Sequence, residues 1–212
     1  MDHETLRQAL IDTSRAINAC GLNQGRAGNL SMRIERGFLI TPTGVSYEKL
    51  LPEHLVGMGL DGQVISGQLK PSSEWRIHRD IFAARPEVSA IIHVHSPYAT
   101  ALACARRAIP AFHYMVAVAG GRTIPCAPYT TFGTQDLSDH VVGTLAGHEA
   151  CLMANHGMIA LGSNLEEAFQ LAQEVEYLAR LYCLALQIGG PVVLSDKEMA
   201  EVVKRFESYG NQ

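Results

Sequence analysis

Nothing in this chain approaches 18 uninterrupted apolar residues, so no segment reads as a membrane span. Lysine and arginine form no cluster, and the formal charge is −4. That leaves no basic footprint for nucleic acid and no cationic patch for a membrane surface. The five cysteines (20, 104, 126, 151 and 183) are odd in number, widely spaced and free of CxxC pairs, which argues against a disulfide framework. The opening residues, MDHETLRQALIDTSRAINAC, carry acids where a secretory leader needs bases, and they have no continuous apolar core. A reduced, cytoplasmic protein is expected. Internal repeats, low-complexity tracts and linkers are also missing. With 212 residues, 47% hydrophobic and 18% charged, the expectation is one globular domain over 1–212.

What is present reads as strands and helices in loose alternation. Residues 4–20 place Leu6, Ala9, Leu10, Thr13 and Ile17 on one helical face, and Gly21 follows. NLSMRI and FLITPTG look like short strands around a turn at Gly37. PSSEWRIHRDIFAARP reads as a helix between Pro71 and Pro86, with Glu74 in its first turn. VSAIIHVH is β-branched and strand-like, and SPYATALACA continues it as a helix. GGRTIPCAPY suggests a short edge strand or an ordered loop. TQDLSDHVVGTLAG is helical with Thr134 as cap, and CLMANHGMIALG is a strand pair bent at Asn155-His156-Gly157. Capping patterns at Asn164/Glu167 and Ser195/Glu198 open the last two helices. Short turns between neighbouring strands require antiparallel pairs, so a mixed or antiparallel sheet covered by helices is predicted.

The chemistry concentrates in IIHVHSPYAT. On a strand His93 and His95 face the same way, with Cβ atoms roughly 7 Å apart, while Val94 faces the core. Such a pair serves either as hydrogen-bonded polar side chains or as ligands converging on one ion. His156 occupies a turn before Gly157, which permits close backbone approach. The other histidines (3, 54, 78, 113, 140 and 148) lack such a setting, apart from His113 beside Tyr114. No cysteine is near the three, so a closed structural zinc site is disfavoured, and three histidines with one open position make a catalytic arrangement. Glu74 either complements its helix dipole or transfers protons. Ser72 and Ser73 either cap that helix or bind phosphate, and GNLS (28–31) and TPTG (41–44) offer similar turn-or-cradle chemistry.

The order GNLS, ITPTG, PSSEWRIH, HVHSPYAT, HYM, GGRTIPCAPYTTFGT, NHG resembles the class II sugar-phosphate aldolases related to L-fuculose-1-phosphate aldolase, from about residue 4 to residue 209. The resemblance implies a three-layer α/β/α fold whose central, mainly antiparallel sheet has about nine strands. It also implies a homotetramer with active sites at subunit interfaces. Zinc, one ion per subunit, would be held by His93, His95 and His156, with Glu74 on or near the metal at rest and acting as base once substrate arrives; histidine ligation also suits other divalent metals. Asn29, Thr43, Gly44, Ser72 and Ser73 match phosphate-binding positions. Tyr114 matches an acid supplied by a neighbouring subunit, and Tyr209 matches a residue that closes over the site. The implied reaction cleaves a ketose 1-phosphate, similar to L-fuculose 1-phosphate, into dihydroxyacetone phosphate and an aldehyde such as lactaldehyde, through an enediolate. Neither Lys49 nor Lys70 lies in a motif suggesting a Schiff base. The scaffold also carries sugar-acid phosphate decarboxylases and pentulose-phosphate 4-epimerases; the epimerases have an acidic residue in the segment matching HYM. A non-catalytic, zinc-stabilised binding module is the reading from outside enzymology.

Overall fold

Eight strands form one sheet in the order β4-β3-β2-β1-β5-β8-β7-β6. The structure is a computed structural model that describes residues 3–206. The strands are β1 (Asn29–Ile34), β2 (Gly37–Ile40), β3 (Val56–Met58), β4 (Val64–Ser66), β5 (Ala90–Val94), β6 (Cys126–Ala127), β7 (Ala150–Met153) and β8 (Gly157–Gly162). The helices are α1 (His3–Ala19), α2 (Trp75–Ala84), α3 (Pro97–Cys104), α4 (Gln135–Thr144), α5 (Leu165–Gln187) and α6 (Asp196–Phe206). Among the described residues, no helix is long and apolar enough to cross a membrane.

Two corrections to the sequence reading concern the sheet. It has eight strands rather than about nine, and the β6–β7 pair is parallel. The brevity of β6 follows from where proline falls. Pro125 and Pro128 flank β6 and have no N–H to donate, so its ladder stops after two residues. Pro42 and Pro71 meet only as an isolated bridge, as do Ile109 and Ile124.

Period-two alternation divides the core. Leu30, Ile92 and Val94 point to one layer, with Leu10 and Ile17 of α1, Leu102 of α3 and Val175 of α5. Ile91, Ile159, Phe38 and Ile40 point to the other, against Ile77, Ile81 and Phe82 of α2 and Leu137 and Val141 of α4. Each such side chain, removed from water, contributes about 1.5–3 kcal/mol. Residues 29, 31 and 93 therefore lie on the α2 side of the sheet. Register seals the placement, since Asn29 pairs with His93 across β1–β5 and His93 pairs with Ile159 across β5–β8.

Candidate metal centre and active site

The centre forms where β1, β5 and β8 end beneath the start of α2. His93 is the penultimate residue of β5, His95 follows the strand's end, and His156 occupies the β7–β8 turn, where Asn155 adopts the left-handed conformation at φ 54°. That turn is latched: Asn155 N–H donates to Ala103 O (3.0 Å), and its side-chain Oδ1 accepts from Arg106 Nε (3.1 Å). Gly157 is required for closeness. A Cβ there would lie 2.5 Å from Val94 O and 2.8 Å from His95 Cδ2. A side chain on Gly28 would likewise overlap the His93 carbonyl oxygen.

One atom of each histidine converges to within 4.8 Å of the others. His93 Nδ1 bonds to Met158 O at 2.9 Å, and because a carbonyl only accepts, that nitrogen carries a hydrogen and donates it. In the neutral ring Nε2 is then a bare lone pair, 3.1 Å from His95 Nε2 and 3.2 Å from Glu74 Oε2. Glu74 Oε1 lies 3.1 Å from His156 Nε2, yet no donor is aligned on it, which leaves a buried carboxylate oxygen unsatisfied. Lone pairs and a carboxylate facing one another are stable only around positive charge, and three nitrogens and one oxygen are the donors a divalent transition metal takes. The residues fit the metal expected for them.

Without a cation, a proton on His93 supplies part of that positive charge. Burial opposes ionisation of Glu74, but His93, His156 and the Asn29 amide outweigh it and hold the carboxyl well below its usual range. Burial likewise opposes a charge on His93, but the Glu74 carboxylate more than offsets it, so His93 is raised above the ordinary imidazole value. Burial, then the His93 charge, push both His95 and His156 down to about 4. Both rings are thus neutral, the state a metal needs.

A cleft of about 340 Å³ opens beside the histidines, lined among others by Gly28, Asn29, Thr43, Gly44, Ser72 and Ser73. The two turns that carry the predicted phosphate groups are stitched together, because Ser72 N–H donates to Thr41 O (3.1 Å) and Thr43 N–H donates to Lys70 O (3.1 Å). Glu74 is the residue before α2 rather than part of its first turn; its N–H meets Ser72 Oγ at 3.3 Å, and at φ −100°, ψ 16° it has left helical geometry and aims its side chain at the histidines. Opposite, Tyr129 and Phe132, respectively 53% and 65% exposed, form an apolar wall that sequence reasoning left without a role.

His95 is fixed from behind. Its N–H donates to Asn23 Oδ1 (3.2 Å), and Glu176, on α5, accepts from Ser96 Oγ (2.7 Å) and from the N–H groups of Tyr98 and Ala99 (2.9 Å each). A carboxylate at the first turn of α3 is favoured by the helix dipole.

Tyr114 is placed elsewhere. It opens a 3₁₀ segment (Tyr114–Ala119), is half exposed, stacks on His113, and is not among the residues lining the cleft. Tyr209 lies outside the described residues.

Residues 8–183 match the family described as Class II Aldolase and Adducin N-terminal domain. The chain belongs to that family. This class II aldolase is 49% identical to the L-fuculose phosphate aldolase of Escherichia coli (strain K12), over 99% of this chain and 98% of the relative. It is 50% identical to the 5-methylthioribulose-1-phosphate/5-deoxyribulose-1-phosphate aldolase of Rhodospirillum rubrum, over 97% and 93%. A solved L-fuculose 1-phosphate aldolase superposes with a TM-score of 0.93 at 39% identity, covering 98% of this chain and all of that one. The aldolase is accordingly an aldehyde-lyase, built on a three-layer arrangement with the sheet in the middle.

Sequence reasoning passed over His78 as lacking a functional setting. In the structure it is fully buried behind Asn29, bonded to that amide and to Ser31. Its spacing of four from Glu74, one helical turn, was the signal that could have found it.

Proposed function

We propose that this aldolase reversibly cleaves a ketose 1-phosphate to dihydroxyacetone phosphate and a short aldehyde, with zinc at His93, His95 and His156. The observation that carries this reading is the buried Glu74 carboxylate, one oxygen of which has no donor, facing the Nε2 atoms of His93 and His156 within a cluster of three converging histidines beside an open cleft. A divalent cation held there supplies Lewis acidity, neutralising charge that develops on the donor's oxygens when its carbon loses a proton. Glu74 takes that proton, and sealing of the cleft by substrate removes water from the carboxylate and makes it a stronger base. The backbone of Thr43 and Gly44, the hydroxyls of Ser72 and Ser73 and the remaining amide hydrogen of Asn29 hold the phosphate end.

Tyr114 protonates the developing alkoxide of the aldehyde from a neighbouring subunit of a homotetramer. Its exposure and its absence from the lining of its own cleft support that assignment. The aldehyde end faces Tyr129 and Phe132, a wall suited to an apolar terminus such as methyl or methylthiomethyl. L-fuculose 1-phosphate, 5-deoxyribulose 1-phosphate and 5-methylthioribulose 1-phosphate are thus the candidate substrates, and the cytoplasm the setting in which such phosphates occur. Tyr209 is assigned the covering role by resemblance alone.

The test is a panel of these three phosphates with metal-depleted enzyme reloaded with defined divalent ions, following release of dihydroxyacetone phosphate. Metal-dependent release from at least one is expected. Equal turnover after complete metal removal, or no release from any, would defeat the reading; release of carbon dioxide or inversion at carbon 4 from related phosphates would transfer the enzyme to the decarboxylase or epimerase branch.

A further inference from the structure

Behind the carboxylate runs a line of four buried polar side chains: Glu74, Asn29, His78 and Ser31, none more than 6% exposed. Asn29 Nδ2 is 2.9 Å from Glu74 Oε2, Asn29 Oδ1 is 2.5 Å from His78 Nε2, and His78 Nδ1 is 2.6 Å from Ser31 Oγ. Chemistry assigns every hydrogen along it. An ionised carboxylate can only accept, so Asn29 presents its NH₂ to Glu74 and its carbonyl oxygen to His78. The imidazole therefore carries its hydrogen on Nε2, and its bare Nδ1 accepts from the Ser31 hydroxyl. Reversing any one group would set donor against donor or acceptor against acceptor in a dry interior, at the cost of an unsatisfied buried polar atom.

Resting on the assignment of Glu74 as base, we infer that His78 is a positioning residue for proton transfer: it locks the Asn29 amide so that an N–H, never the carbonyl oxygen, faces the carboxylate. The placement is a product of two periods. Asn29 and Ser31 are two apart on β1 and share its α2 face, while Glu74, just ahead of α2, and His78, one turn inside it, both meet that face. A freely turning amide would present its oxygen to Glu74 part of the time, repelling the charge and displacing the carboxylate from both the cation and the donor carbon.

The test separates this role from packing and from the base assignment itself. His78→Phe fills the space with an apolar ring, and His78→Gln restores an N–H near the place of Nε2. With metal-loaded enzyme and dihydroxyacetone phosphate alone, exchange of the donor C–H hydrogen with solvent deuterium reports the base step without any aldehyde. His78→Phe should retain metal and KM but exchange about 10–100-fold more slowly, the usual cost of removing a residue that orients a ligand; His78→Gln should recover most of the rate. Wild-type exchange in a folded, loaded His78→Phe enzyme overturns the inference, as does equal loss in both variants. Should Glu74→Gln itself exchange at the wild-type rate, the base assignment fails instead. Independently of any variant, nitrogen-15 spectra of the wild-type protein should show His78 with hydrogen on Nε2 and none on Nδ1, and the opposite tautomer overturns the inference without a kinetic measurement.

Discussion

The corner that holds His93, His95, His156 and Glu74 differs from three exposed aromatic side chains, Tyr129 and Phe132 on the lining of its cleft and Tyr114 outside it. In the corner Glu74 and His93 are buried, His95 and His156 are half-buried, and the groups are tethered: His93 by the Met158 carbonyl, the His95 turn by Asn23 and Glu176, the His156 turn by Ala103 and Arg106. On the surface, three large aromatic side chains are each more than half exposed. The contrast teaches a division of labour. In the proposed reaction, generating a carbanion needs fixed electrostatics, which the corner's buried and tethered groups would provide. Receiving the aldehyde would then fall to the exposed aromatic groups.

Breaking the corner should give the largest effects. His156→Ala is expected to lower bound metal and cleavage together, by on the order of a thousandfold in rate, the equivalent of several kcal/mol of lost charge stabilisation, while cooperative thermal unfolding persists. Metal analysis and an initial-rate assay on the same sample check it; an active variant without metal would contradict the Lewis-acid role. Glu74→Gln should keep metal and phosphate affinity and lose about 10²–10⁴-fold in both donor hydrogen exchange and cleavage.

The surface half is sharpened by Tyr114→Phe, for which about a 100-fold loss in cleavage is expected with donor exchange untouched. Slowed exchange in this variant would move Tyr114 into the corner and erase the distinction. Mixing dissociated Tyr114→Phe and Glu74→Gln subunits should then restore about a quarter of wild-type activity, since random reassembly pairs an intact Glu74 with a neighbour's intact Tyr114 at that frequency. No recovery would place both residues in one subunit's site. The smallest effect is expected from Gly157→Ala, where the new methyl must displace the Val94 carbonyl or the His95 ring. A loss of about 1–3 kcal/mol in denaturant unfolding, accompanied by weaker metal binding, would measure how tightly the histidines are crowded.

The sequence made the corner unusually legible. His93, Val94 and His95 alternate as strand geometry requires, Gly157 marks the close approach, the Ser195 helix start is realised as reciprocal bonds with Glu198, and at Asn164 the side-chain oxygen accepts from the Glu167 N–H while the Glu167 carboxylate turns back to Ser163. Less legible were elements too short to carry a period. Val56–Met58 and Val64–Ser66 have three residues each, and the latter is exposed on both faces at the sheet edge, so nothing in its pattern distinguishes it from a loop. Glu74 was expected within its helix because Pro71 and two serines precede it, whereas the turn around Ser72 postpones the first helical residue to Trp75. His78 escaped notice because its partners, Asn29 and Ser31, are more than forty residues away along the chain. Pairings of that kind become visible only once β1 and α2 are stacked.

The carboxylate of Glu176 gives the outermost layer a grip on the catalytic floor. It belongs to a 23-residue helix, and it clamps the very turn that delivers His95. Exposed Tyr177, next to it in the chain, and Leu184, eight residues on, belong to the same helix. With His95 as a ligand in the proposed centre, whatever leans on that helix from outside would reach it through the Glu176 bonds to the residues that follow it, so surface changes on α5 should be felt as altered metal retention before they are felt as altered folding.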